Sequence, residues 1–188
     1  LAAVARELAR LSQRAPWQDT APFLIQLPGF ALVSAMTVLA AIGDIRRFPT
    51  ARHLVGYAGL GAGVHDSGTS HRKGPLTKQG RRDVRRVLIE AAWSAVATHP
   101  HWQQAFGRLC RRKPEGVAIV AIARKLLVAV WHVLAQRSAD RHADPVMVAS
   151  KLMRWSWELT PEQRGGLTTR QFVRYGLLRL GLGHDLTG

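Results

Sequence analysis

Between His65 and Arg86 the sequence runs HDSGTSHRKGPLTKQGRRDVRR, a serine set among histidines, glycines and cations. Ser67 stands between Asp66 and Gly68, with His65 and His71 close by. A serine hydroxyl attacks phosphorus when a base or a metal removes its proton and cations hold the transferring phosphoryl oxygens. The cations are present: Arg72, Lys73, Lys78, Arg81, Arg82, Arg85 and Arg86 face one acid, Asp83, across fifteen residues. Either histidine is a candidate base, and no spacing sets one of them beside the hydroxyl. The same residues also describe a turn that binds a polyanionic backbone without chemistry, its hydroxyl a ligand to phosphate. From the residues alone Ser67 stays open between nucleophile and ligand.

Metal-assisted phosphoryl transfer needs several carboxylates converging within a few ångströms. Asp44, Asp66, Asp83 and Glu90 are the only acids between Asp19 and Glu115. Eight histidines and the lone Cys110 show no zinc-type spacing. No metal site is expected within these residues.

The whole chain shares the character of this segment. Its 188 residues carry 27 Lys and Arg against 12 Asp and Glu, a formal charge of +15. Such an excess favours a nucleic-acid partner through phosphate attraction and counterion release, although an anionic membrane surface or an acidic protein would suit it too. A single cysteine excludes an internal disulfide framework, and no secretory segment opens the sequence, which fits a cytoplasmic location. Apolar residues at 47% are enough for a packed core. The most apolar run, residues 117–135, is interrupted by Arg124, Lys125 and His132, so a central core helix is expected there and no membrane span.

Helices must position the serine segment. Val4, Leu8 and Leu11 give residues 1–14 a helical period, the end of a connector or coiled-coil arm that Pro16 and Pro22 break. Phe23, Leu24 and Leu27 precede Pro28-Gly29, and Leu32, Ala35, Met36, Leu39 and Ile42 follow until Gly43. Two short helices about a Pro-Gly turn match a helix-hairpin-helix, whose turn amides contact phosphate, and this makes Gly29 a candidate nucleic-acid contact. Ala31 replaces the usual second glycine, and a plain helical hairpin accounts for the same pattern. Thr50 is the expected cap of a helix through Tyr57, and Gly56, Gly59, Gly61 and Gly63 lead into the serine loop.

Val84, Val87, Leu88, Ala91, Ala92 and Ala95 form the stripe of the next helix, which His99-Pro100 ends. Arg81, Arg82, Arg85 and Arg86 oppose the dipole at its start, and a bound anion would offset that cost. Arg86 and Glu90 are spaced to pair on its surface. A further helix is expected over residues 102–112. Beyond residue 140, Val146, Leu152, Trp155 and Trp157 are the expected anchors of one helix, Thr160 with Gln163 the cap of another, and Phe172, Tyr175, Leu178 and Leu182 the face of a last one. Trp93, Trp102, Trp131, Trp155 and Trp157 are expected as core or interdomain anchors, with base stacking by one of them as the alternative. The expected fold is mainly α: a compact multi-helix domain with a helix-hairpin-helix-like element and a glycine-rich basic loop. It divides into a connector over 1–22, a central domain over 23–139 and a helical extension over 140–188.

In order and spacing, a series of short motifs is similar to the C-terminal transposase domain of the IS110/IS116/IS902 family of insertion-sequence transposases. The series runs Leu27-Pro28-Gly29, Ile42-Gly43-Asp44 with Arg47-Phe48, Tyr57-Ala58-Gly59-Leu60, Ser67-Gly68 and Lys73-Gly74. It continues with Leu76 to Gly80, Val84 to Ala92 and Ala123 to Leu126. Ala31 and Ala62 depart from the family pattern. The resemblance implies a DNA recombinase with an N-terminal RuvC-like domain that holds Mg²⁺ on acidic residues and lies outside this chain. It implies a serine in the present domain that becomes covalently joined to DNA. By motif position that serine is Ser67, with Ser70 its nearest competitor. The implied partners are DNA, a structured bridge RNA, the RuvC-like domain of the same or another subunit, and further copies of the protein. On this expectation the 188 residues alone bind nucleic acid without recombining it. The competing expectation is a helical DNA- or RNA-binding module with no chemistry of its own.

Overall fold

The computed structural model describes residues 2–67, 70–76 and 80–183, with the backbone alone over 62–67 and 70–76. Nine α-helices and one β-hairpin are present among them. Helix α1 is Ala2–Ser12, α2 Ala21–Ile25 and α3 Leu32–Ile42. A 3₁₀ turn, Ile45–Arg47, leads to α4, Ala51–Tyr57. Strands β1, Ala62–Ser67, and β2, Ser70–Leu76, follow. The rest is helical: α5 Arg82–Thr98, α6 Pro100–Cys110, α7 Glu115–Gln136, α8 Pro145–Trp157 and α9 Thr169–Arg179.

Helix α7 is the axis of the bundle. By length and composition it could cross a membrane, yet Ile119, Ile122, Leu126, Leu127 and Val130 are buried against α2, α4, α5 and α6. The expected α5 stripe is the buried one, with Val84, Leu88, Ala91, Ala92 and Ala95 inside. One hydrophobic cluster continues from Ala9 in α1 to Leu180 after α9, so these helices share a core. Ser12 is tied into it by the Trp155 indole, which donates to the Ser12 hydroxyl at 3.0 Å.

The mainly α, multi-helix architecture is as expected, but four local expectations are corrected. The basic loop is a two-stranded antiparallel hairpin, with Val64 opposite Lys73, His65 opposite Arg72 and Ser67 opposite Ser70. Its residues carry no apolar alternation. Backbone pairing across a short connection forms the strands, and an irregularity between Ala62 and Val64 absorbs the glycine at 63. Thr50 makes no side-chain bond to the backbone of α4; its hydroxyl meets His53 Nδ1 at 2.9 Å instead. Thr160 and Gln163 do exchange capping bonds, but Gly165 and Gly166 turn at positive φ and no helix propagates. A second reciprocal box eight residues later, Thr168 with Gln171, is the one that starts a helix, α9.

The faces of the last two helices are also rotated from expectation. Val146 and Trp157 are 66% and 67% exposed, while Val148, Leu152 and Trp155 face the core. In α9 Phe172, Val173 and Leu177 are buried and Tyr175 and Leu178 are not. Both helices carry apolar residues on two sides. Their mutual contact, together with that of α8 on α2, decides which side is covered.

Candidate nucleic-acid interface

The hairpin that carries Ser67 rises from a clamp between the end of α4 and the start of α5. Helix α4 ends in a Schellman arrangement: Gly59 sits at φ +68°, its N–H bonded to the Gly56 carbonyl at 2.9 Å, and the Leu60 N–H reaches the Val55 carbonyl at 3.1 Å. Leu60 is fully buried, so the chain enters β1 from a fixed point. The returning leg is held just as closely. Gly80 has φ +137°, and a β-carbon there would lie 2.4 Å from the Tyr57 carbonyl oxygen and 2.7 Å from the Gly59 nitrogen. Only glycine lets the two legs approach this far.

Arg81 completes the clamp. Its N–H donates to the Tyr57 carbonyl at 3.1 Å, and its guanidinium reaches the Tyr57 hydroxyl at 3.4 Å. That hydroxyl donates to the Ala41 carbonyl at 3.0 Å, linking the start of α5 to the end of α3. Arg81 also makes a paired contact with Asp83, at 2.9 Å through Nε and 2.5 Å through Nη2. The guanidinium holds the Asp83 carboxyl at about 2, well below its ordinary value. Arg85 extends Nη1 to the Ala58 carbonyl at 3.5 Å. Two of the arginines that oppose the α5 dipole thus meet the carbonyl end of α4, where cations are favoured.

The remaining arginines of this helix face outward. Arg82 is exposed and has no ion pair among the described residues. Arg86 makes the expected surface contact with Glu90, at 3.0 Å. Within the hairpin, Arg72 and Lys73 lie in β2 opposite His65 and Val64, and Ser67 is the last residue of β1. Lys78 and Gly68 lie outside the described residues. Backbone register and clamp therefore bring Ser67, Arg72, Lys73, Arg81, Arg82, Arg85 and Arg86 into one hairpin-and-helix unit.

Gly29 is not part of that unit. It takes φ +79° in the α2–α3 turn, and a β-carbon there would fall 1.9 Å from the Ala91 carbonyl oxygen. Ala91 is ten residues along α5 from Arg81, roughly 15 Å of helix. The glycine lets the turn press on the middle of α5. Lys151 supports the turn from behind, donating to the Ile25 and Leu27 carbonyls at 3.0 and 2.5 Å.

Sequence reasoning gave no role to Tyr57, which joins α3, α4 and α5; its ring lies 5.2 Å from that of Phe48, tilted at 57°, and the Arg47 guanidinium carbon is 5.9 Å from its centroid. Tyr57 and Arg81 are 24 positions apart, and no periodic signal relates them.

The sequence of this clamp and hairpin lies inside residues 21–107, the stretch that a transposase family model matches. The "Probable family 20 transposase" of Pseudomonas aeruginosa is 31% identical over 122 residues, 63% of this chain and 36% of that protein. The "Insertion element IS110 uncharacterized 43.6 kDa protein" of Streptomyces coelicolor is 30% identical over 114 residues, 60% of this chain and 28% of that protein. The "Pilin gene-inverting protein" of Moraxella bovis is 33% identical over 119 residues, 62% and 37% respectively. The chain thus spans about a third of the length of the curated relatives it matches. The model of the transposase IS116/IS110/IS902 family covers residues 21–107, from the first residue of α2 to the third turn of α6. Over that part of its length this chain matches the transposase domain of the IS116/IS110/IS902 family.

Proposed function

We propose that this chain is part of a DNA transposase in which Ser67 is the nucleophile of strand cleavage. The observation that carries the reading is that the family match over residues 21–107 spans the hairpin with Ser67, its clamp and the basic start of α5. In the cleavage step the Ser67 oxygen bonds to the scissile phosphorus, and the bond from phosphorus to the leaving deoxyribose oxygen breaks. The hydroxyl proton ends on that departing oxygen, and the strand remains joined to the protein as a phosphoserine ester. Attack on this ester by a deoxyribose hydroxyl of the exchanged strand reverses the bonding and releases Ser67.

Arg72 and Lys73 on the hairpin, with Lys78 and with Arg82 and Arg86 on α5, neutralise backbone phosphates around the reacting group. Arg81 and Arg85 hold the root of the hairpin. The α2–α3 turn at Gly29 acts as a helix-hairpin-helix on a neighbouring phosphate, with Ala31 in place of its second glycine. Among the described residues no three His, Cys, Asp or Glu side chains gather. In this reading Mg²⁺ would be held by a RuvC-like domain of the same or another subunit, where it would stabilise phosphodiester charge. A bridge RNA guides the choice of strands, in a cytoplasmic homo-oligomer.

The test is to trap the full-length transposase on a nicked DNA substrate and map the covalent peptide by mass spectrometry. The adduct is expected on Ser67 and is expected to vanish in Ser67→Ala with DNA binding retained. An adduct on Ser70 or elsewhere, or one undiminished in Ser67→Ala, overturns the assignment. Strand transfer that survives Ser67→Ala would leave this chain a binding module without chemistry.

A further inference from the structure

A second basic surface lies on a different part of the molecule. Helix α6, helix α7 and the segment from Ser138 to His142 enclose a cleft of about 730 Å³, within the ~300–1,000 Å³ span of small-ligand sites. Its α6 wall comes from His101, Ala105 and Arg108, spaced four and three apart, which sets them on one helical face. The α7 wall repeats the pattern with Lys125, Val128, Ala129, His132 and Val133. An apolar floor of Ala105, Val128, Ala129 and Val133 therefore lies beneath a rim of cations.

The third wall is fixed, and the three cations of the rim outnumber its one acid, Asp140. Gln26, buried in the core, donates to the Ser138 carbonyl at 3.3 Å and accepts from the Asp140 N–H at 3.0 Å, fastening the third wall to α2. The Asp140 carboxylate accepts from the His142 N–H at 2.9 Å. Arg108, Lys125 and Arg141 have no ion pair among the described residues. Flat rings complete the wall: His101 and His142 stack with centroids 3.7 Å apart, and Trp102 stands edge-on to His101 at 5.1 Å. The Trp102 indole N–H has no acceptor among the described residues.

We propose that this cleft binds one unpaired nucleotide of a single-stranded nucleic acid, its base on the floor and rings and its phosphates on Arg108, Lys125 and Arg141. The proposal rests on the nucleic-acid reading above and adds a site that the serine hairpin does not supply. A paired base hides both faces in the stack, so a concave apolar floor ringed by cations suits a strand whose bases are free. RNA and single-stranded DNA share that chemistry, and only the 2′-hydroxyl separates them.

The test uses the 188-residue chain with labelled oligo-rU, oligo-dT and a duplex of equal length, and the variant Arg108→Ala/Lys125→Ala/Arg141→Ala. All three side chains are exposed, so the core is left intact. Single-strand affinity is expected to fall about tenfold or more, as loss of phosphate contacts requires, with duplex affinity little changed. Photo-crosslinks from 5-iodouracil are expected within residues 99–110 or 138–142. Tighter binding of rU by the wild type identifies the strand as RNA, and tighter binding of dT identifies it as DNA. Unchanged single-strand binding in the variant, an equal loss on the duplex, or crosslinks confined to residues 62–86 would overturn the cleft and leave the broader reading standing. No binding to any of the three at low salt overturns both.

Discussion

Lys151 shows how one residue carries structure and pH response together. It is a largely buried lysine whose ammonium is spent on the carbonyls of Ile25 and Leu27 behind the α2–α3 turn. Burial, reinforced by the nearby charge of Arg154, pushes its pKa down to about 8. In the unfolded chain a lysine holds its proton to about 10.4. Between those values the unfolded state binds more protons than the folded state, so stability rises with pH across the window from about 8 to about 10.5. The gain is at most about 3 kcal/mol, because each pH step of one across that window is worth about 1.4 kcal/mol. Urea unfolding at pH 7.5 and pH 10.5 checks this against Lys151→Met, which lacks the titrating group. The difference between wild type and variant is expected to move in favour of the wild type at the higher pH. A difference that stays constant would show that Lys151 keeps an ordinary pKa.

At the scale of elements, the hairpin depends on the junction between α4 and α5. Gly80 permits its returning leg to lie against Tyr57 and Gly59, and Arg81 then locks the contact through the Tyr57 carbonyl and hydroxyl. In Gly80→Ala the methyl group has no room and the backbone sits in a region costly for L-residues, a combined penalty of roughly 2–4 kcal/mol. The expected outcome is a detached leg with the bundle still folded: hydrogen exchange at the Arg81 amide accelerates while amides of α7 keep their protection. Uniform loss of protection throughout would show that the clamp belongs to the global core. This junction also marks what could be read in the sequence. The stripe of α5, its end at His99-Pro100 and the Arg86–Glu90 pair follow from a period of 3.6 and were legible. So was the cationic run, although not its division between Arg81 and Arg85, which grip α4, and Arg82 and Arg86, which face outward. The strands were hidden because His65, Asp66, Arg72 and Lys73 show no alternation of apolar and polar faces. Tyr57 was hidden because its partners come from α3 and α5, at distances in sequence that local patterns do not span.

Across the whole molecule, a charge of +15 is arranged around a single apolar core rather than spread evenly. Arg46 with Asp44 and Arg179 with Asp19 are neutralised locally, whereas Arg82 and the three cations of the α6–α7 cleft have no ion pair among the described residues. Arg82 and Arg86 are both exposed on the helix that the hairpin stands on, which on the proposed reading offers them to duplex phosphates. Each phosphate so neutralised contributes about 0.9 to the slope of log affinity against log salt for duplex DNA. Arg82→Ala/Arg86→Ala is therefore expected to make that slope shallower by about 2, with weaker binding at every salt concentration and no change in preference among sequences. The cleft variant makes the complementary change on single strands, where each contact counts for about 0.7 and three lost contacts lower the slope by about 2. Titrations of both variants on both ligands between low and physiological salt separate the two surfaces. If each variant lowered the slope equally on duplex and single strand, the basic charge would act as one diffuse field and the division into two surfaces would be wrong.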